Sequence, residues 1–131
     1  MRKLNTIQRR NKLNDIFTAD DVGNGGANHK FLVVRAGSAK VENDVMTIDP
    51  NDVIEEVQMQ HGPRYEENSI SGLTTDDLLE IARDCLTAFQ ASEMATREAA
   101  VALTHIETAL LWLNKRTEDR AERGVLGSMK K

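Results

Sequence analysis

Two stretches of the chain pair a helix start with apolar residues at helical spacing, and they limit the fold more than anything else in the sequence. Thr74-Thr75-Asp76-Asp77 sets a hydroxyl cap ahead of acids in a first turn, where the orphan amides and the positive dipole end favour both. Leu78, Leu79, Ala82, Cys85, Leu86 and Phe89 then keep one face apolar, and the pattern fades at Gln90-Ala91-Ser92. A second start at Thr96-Arg97-Glu98 leads into a stripe of Ala99, Leu103, Ile106, Leu110 and Leu113. This helix is predicted to run to Arg123, with Gly124 placed to end it. Helices joined by so short a link pack as antiparallel neighbours. Ala102, Ala109 and Trp112 flank the second stripe and widen the apolar arc beyond what one partner helix covers, so the surplus calls for burial against another subunit.

Shorter apolar runs precede the hairpin. Phe31-Leu32-Val33-Val34 is closed by Ala36-Gly37-Ser38, and Val45-Met46-Thr47-Ile48 by Asp49-Pro50-Asn51-Asp52. Both read as strands bounded by turn residues. In Val53 to Gln60, apolar 53, 57 and 59 alternate with polar 56, 58 and 60, which predicts a half-buried strand. Three such strands with tight links predict an antiparallel meander. Pro63 breaks the pattern, because it lacks a backbone donor and restricts its neighbour. The glycines of Val22 to Asn28 disfavour regular structure, so the N-terminus reads as a loop-like arm. The expected architecture is α+β: an arm over 1–28, a small antiparallel sheet over 29–66, an αα-hairpin over 74–124 and a tail over 125–131.

Composition closes off several functions. No apolar run approaches the length needed to cross a bilayer, which points to a soluble intracellular protein without a membrane partner. The net charge is −4, and its basic residues cluster at the two ends while residues 15–114 are strongly acidic. A chain so charged has no continuous basic surface on which to track a polymeric nucleic acid. It can still hold one compact anion where its few arginines converge. Cys85 is the single cysteine and is expected to be a buried, inert thiol on a helix face. His29, His61 and His105 lie far apart in sequence, so neither redox nor zinc chemistry is expected, and no metal site or cofactor is assigned. No serine or cysteine has a histidine in a recognisable nucleophile motif, and the Gly23-to-Gly26 stretch lacks the helix of a phosphate loop. Glu55-Glu56, Glu66-Glu67 and Asp76-Asp77 read as strand edge, loop and helix start, so the chain is not expected to be an enzyme.

Two segments carry a family resemblance. The first is Gly62-Pro63-Arg64 leading into Gly72-Leu73-Thr74-Thr75-Asp76-Asp77-Leu78-Leu79. The second is Ala88-Phe89-Gln90 followed by Thr96-Arg97-Glu98 and the run from Ala102 to Arg116. Together they resemble the helical hairpin shared by two groups of phage signal sponges, the anti-CBASS cyclic-oligonucleotide sponges and the first Thoeris anti-defence family. The preceding sheet favours the latter. The likeness covers 60–124 well and 29–59 loosely. It implies a phage-encoded protein of the host cytoplasm that binds glycocyclic ADP-ribose, and in some members cyclic trinucleotides, without cleaving it, so that the host effector is not activated. It also implies a homo-oligomer built from dimers, up to a closed form such as a hexamer. Carried over residue by residue, the adenine-stacking aromatic is Phe89, the arginine after the Gly-Pro turn is Arg64, and the two arginines near the end of the last helix are Arg116 and Arg120. Ala99 stands where the family usually has an asparagine, which removes one hydrogen-bonding group.

The residue chemistry suits such a ligand. Guanidinium groups are planar and permanently charged and grip phosphate oxygens through paired hydrogen bonds, while stacking of a base on an aromatic ring contributes roughly 1–3 kcal/mol. Arg116 and Arg120 are one turn apart on one helix face. Phe89 lies at the other end of an antiparallel hairpin, on the order of 35 Å away at a rise of ~1.5 Å per residue. If both ends contact one ligand, the arginines come from a second subunit. Blander readings stand beside these: Phe89 as core, Arg64 as a turn residue, and Arg116 and Arg120 as solvated complements to the helix dipole. The alternative function is a hairpin module for protein interaction or assembly that takes no small molecule.

Overall fold

Strands form where β-branched and aromatic residues fill short runs between turns: β1 (Asn14–Thr18), β2 (Lys30–Arg35), β3 (Lys40–Glu42), β4 (Val45–Thr47) and β5 (Val53–Gln58). Helices α1 (Thr75–Gln90) and α2 (Arg97–Glu122) follow. The computed structural model describes residues 1–129. Its α+β order, antiparallel strands and then two helices, matches the class read from the sequence. The chain divides into two compact units, Met1–Gly62 with Ile70–Gly72, and Pro63–Ser69 with the chain from Leu73 onward.

In the first unit β1, β2 and β5 form one antiparallel sheet in the order β1-β2-β5. Phe17 faces Leu32 and Asp15 faces Val34 across β1 and β2. Phe17 and Val34, 1% and 0% exposed, are the two fully buried apolar side chains of the described residues. The sheet begins earlier than expected, inside the stretch read as a loop-like arm. There Asp15-Ile16-Phe17-Thr18 supplies a strand, and Met1 to Leu4 runs along its outer edge, with Leu4 N donating to Ile16 O and Thr18 N to Arg2 O, both at 2.8 Å. That pairing covers an edge that would otherwise present unpaired backbone groups. The basic residues of the arm assist, since Lys3 and Lys12 pair with the buried Asp15.

The expected meander is replaced by a different pairing. β5 joins β2 rather than β4, and β3 and β4 form a separate two-stranded hairpin. The physical reason is burial: β3 and β4 carry Lys40, Glu42 and Thr47 and expose most of both faces, so they have no apolar face to offer the sheet. Their connection is a two-residue turn with Asn43 and Asp44 at φ 53° and 62°, the conformation that matches hairpin twist and that Asn and Asp tolerate.

The β2–β5 pairing also corrects the reading of the histidines as far apart. Met59 N donates to His29 O at 2.7 Å, so residues 29 and 59 are cross-strand partners and 61 lies on the same face one pleat further on. The His29 and His61 rings stack with centroids 4.2 Å apart and planes within 5° of parallel.

In the second unit both helices start where the sequence places them. The Thr74 hydroxyl accepts from Asp77 N at 3.2 Å while the Asp77 carboxylate accepts from Thr74 N at 2.8 Å, a reciprocal capping box. Thr96 Oγ1 accepts from Ala99 N at 3.1 Å. At the far end of α2, Gly124 adopts φ 70°. Its amide donates to Ala121 O, and Val125 N donates to Arg120 O, closing the helix with a left-handed cap that glycine adopts without steric cost.

Candidate functional site

The link between the helices is built by its own side chains, and they fix the position of Phe89. Gln90 Nε2 donates to Thr96 O at 3.1 Å and Gln90 Oε1 accepts from Thr96 N at 3.0 Å. The same amide thus grips both backbone groups of the residue that caps α2. Ser92 Oγ donates to Phe89 O at 2.7 Å and accepts from Met94 N. Against this frame Phe89 is 51% exposed. Within a single chain it is therefore not core.

Helix α1 packs on α2 through Leu79, Ala82 and Leu86, which are half-buried. Leu78, Ile81, Cys85 and Phe89 form a second stripe at helical spacing beside it, and all four are exposed. The expectation of a buried Cys85 is overturned: the residue is exposed because α2 covers the neighbouring stripe. On α2, Val101, Leu111 and Trp112 are exposed as well. Midway along the hairpin, Arg83 Nε donates to Glu107 at 2.9 Å and its Nη1 lies 3.4 Å from Glu80. Its hydrogen bonds to these two carboxylates, Glu107 foremost, raise the Arg83 pKa above its ordinary value. This cation is committed to holding the helices together.

At the distal end of α2, Arg116, Asp119, Arg120 and Arg123 line an open hollow of about 500 Å³. Asp119 pairs with Lys115 at 3.5 Å, which partly neutralises the one carboxylate of the set. Arg116 is exposed and makes no hydrogen bond or ion pair among the described residues. Arg120 differs. It is 7% exposed, and its Nη2 donates to Val125 O at 3.0 Å and to Ser128 O at 2.9 Å. The tail that follows Gly124 folds back onto it. Sequence reasoning missed this use of Arg120, because an arginine in a last helical turn carries no mark of the chain that will cover it.

Arg64 stands exposed in the turn after Pro63, where Glu66 N donates to Pro63 O at 3.0 Å and Ser69 Oγ to Arg64 O at 3.1 Å. Ala99 lies half-buried in the first turn of α2. The geometry therefore brings Arg116 and Arg120 together and keeps Phe89 apart from them. Phe89 sits beside the interhelical link, and the arginines lie toward the opposite end of the 26-residue α2, a helix about 39 Å long at ~1.5 Å per residue. An aromatic platform at one end and a cluster of guanidinium groups at the other can serve one anion only when two chains meet.

Comparison with known proteins adds an independent line. Residues 51–118 match the family described as "Acb2/Tad1, hairpin domain". The chain is similar to the protein "Thoeris anti-defense 1" of Bacillus phage SBSphiJ7, with 38% identity over 116 residues that cover 80% of this chain and 81% of that protein.

Proposed function

The chain belongs to the Acb2/Tad1 hairpin-domain family, and from that premise we propose that it is an anti-defence sponge. It binds a cyclic nucleotide immune signal, glycocyclic ADP-ribose first and cyclic trinucleotides second, and holds it without cleavage so that Thoeris or CBASS effectors are not switched on. One observation carries the reading: Phe89 and Arg116 are both exposed on the hairpin, at opposite ends, and an uncovered apolar stripe runs along α1 to Phe89. A second copy seated on that stripe brings the guanidinium groups of one hairpin to the ring of the other, forming a pocket with a stacking surface and bidentate phosphate donors. The homo-oligomer is then a condition of binding rather than an accessory to it. The supporting chemistry is that of capture: an exposed aromatic side chain and permanently charged guanidinium groups.

The test is to incubate the purified protein with glycocyclic ADP-ribose and with cyclic trinucleotides, remove free ligand, heat-denature the protein and chromatograph what is released. Intact ligand is the expected result. Release of an altered nucleotide would make the protein an enzyme. Absence of any bound nucleotide would leave the exposed stripe as the surface of an assembly module.

A further inference from the structure

We propose that Asp20, His29 and His61 form a site for one divalent first-row transition metal ion, zinc foremost, that fastens the loop between β1 and β2 to the end of β5. One ligand atom from each of the three lies within 4.8 Å of the others. The sheet register creates this convergence: His29 immediately precedes β2, His61 follows β5 on the same face, and Asp20 lies just beyond β1. Backbone pairing fixes each position. His61 exchanges hydrogen bonds with Ile70 at 3.0 and 2.8 Å, and His29 N donates to Asp20 Oδ2 at 3.0 Å.

Two further observations point to an ion in this place. First, His29 is 9% exposed and its Nδ1 is buried with no hydrogen-bond partner. A buried polar atom left unsatisfied is costly and rare in folded proteins, and a metal is one of the groups that satisfies it. Second, a Cβ added at Gly23 would stand 2.8 Å from His61 Nε2 and 3.4 Å from His29 Nδ1. The two nitrogens therefore border the same small space. Gly23 has φ −127°, outside the left-handed region, so glycine is required here for room rather than for backbone conformation.

Two imidazoles and one carboxylate are the donor types that zinc accepts, with water in the remaining position, whereas magnesium and calcium prefer oxygen ligands alone. Zinc–nitrogen bonds of about 2.0–2.1 Å in a tetrahedral site put two nitrogens roughly 3.4 Å apart. The stacked rings must tilt out of parallel to aim both lone pairs at one point, so metal binding unstacks His29 and His61. The unit also needs such a fastening, because small domains with few buried apolar residues commonly depend on a staple and here only Phe17 and Val34 are fully buried among the described residues.

The experiment uses the full chain, stripped with a chelator and titrated with Co²⁺ and then Zn²⁺. We expect one Co²⁺ per chain with the visible absorption of a four-coordinate site, displacement by Zn²⁺, and a higher thermal midpoint with Zn²⁺ present. His61→Ala, Asp20→Ala and Gly23→Ala remove the cobalt band, while His105→Ala retains it. His61→Cys restores binding and adds a sulfur-to-cobalt charge-transfer band, which identifies residue 61 as a ligand even if His61→Ala fails to fold. Failure of the unaltered chain to bind Co²⁺ or Zn²⁺ stoichiometrically, or a cobalt band that survives in folded His61→Ala, would overturn the proposal.

Discussion

The Nη2 of Arg120 lies 2.9 Å from the backbone oxygen of Ser128 and 3.0 Å from that of Val125, so a guanidinium expected to grip a ligand already holds the chain's own tail. The two uses make different demands. If Arg120 binds phosphate, a chain ending at Gly124 should capture the cyclic nucleotide at least as tightly as the full chain. Arg120→Ala should weaken capture in both lengths by roughly 10- to 150-fold, the worth of one charged hydrogen-bonding group. Titration calorimetry on the four proteins checks this. A truncation as damaging as Arg120→Ala would show that the arginine acts through the tail instead.

Phe89→Ala should reduce cyclic nucleotide affinity by roughly 5- to 150-fold, the loss of one base-stacking contact, and Phe89→Tyr should retain most of it. Because Phe89 is half-exposed in the single chain, truncation should change stability by no more than about 1 kcal/mol. Affinity and thermal midpoint measured on the same samples separate the roles. Collapse of the fold or of the oligomer without a specific loss of binding would assign the ring to packing between subunits.

Gln90 should prove structural rather than ligand-binding. Its amide makes two hydrogen bonds to Thr96, and at about 0.5–1.5 kcal/mol each, reduced by solvent access, Gln90→Ala should cost about 1–2 kcal/mol. Gln90→Glu keeps the acceptor for Thr96 N and loses the donor to Thr96 O, so it should fall between. Urea unfolding midpoints give the order. Equal stability of all three proteins would mean that the link needs no clamp.

The helices were legible in the sequence because their signals are local. Thr74 and Asp77 are three residues apart, Thr96 and Ala99 likewise, and the apolar spacing marks a helix, although it does not separate the half-buried Leu79, Ala82 and Leu86 from the exposed Leu78, Cys85 and Phe89. The sheet was legible only as strand content. Pairing β2 with β5 past the 40–47 hairpin depends on burial, and the exposed faces of β3 and β4 are not evident from Val41, Val45 and Met46 alone. β1 was hidden by its setting among basic and glycine-rich residues, although Ile16-Phe17-Thr18 has strand composition. The His29–His61 stack follows from register, which a linear spacing does not carry. For the site, Arg116 and Phe89 were readable as positions on a hairpin, whereas the burial of Arg120 depends on a tail with no periodic signal.

Acid should reveal Asp15 as a stabilising charge. The carboxylate is buried, accepts from Gly37 N at 2.9 Å, and pairs with Lys12 at 3.3 Å and Lys3 at 3.5 Å. The Gly37 amide is the largest influence and holds the pKa below the ordinary carboxylate range, burial opposes it, and the two lysines add to the lowering. A folded-state pKa below the unfolded value of about 3.9 means that the contribution is complete above that value and disappears as pH falls through the folded one. Asp15→Asn should therefore be less stable than the parent by about 1–2 kcal/mol near pH 7, the margin of a charge-assisted over a neutral hydrogen bond. That gap should hold to about pH 5 and narrow toward pH 2, because the parent loses its charge while the variant has none to lose. Taking the difference between the two proteins cancels the titration of every other carboxylate they share. Urea midpoints across that range are the measurement, and a gap independent of pH would show that Asp15 stabilises by shape and neutral hydrogen bonding, with its charge contributing nothing.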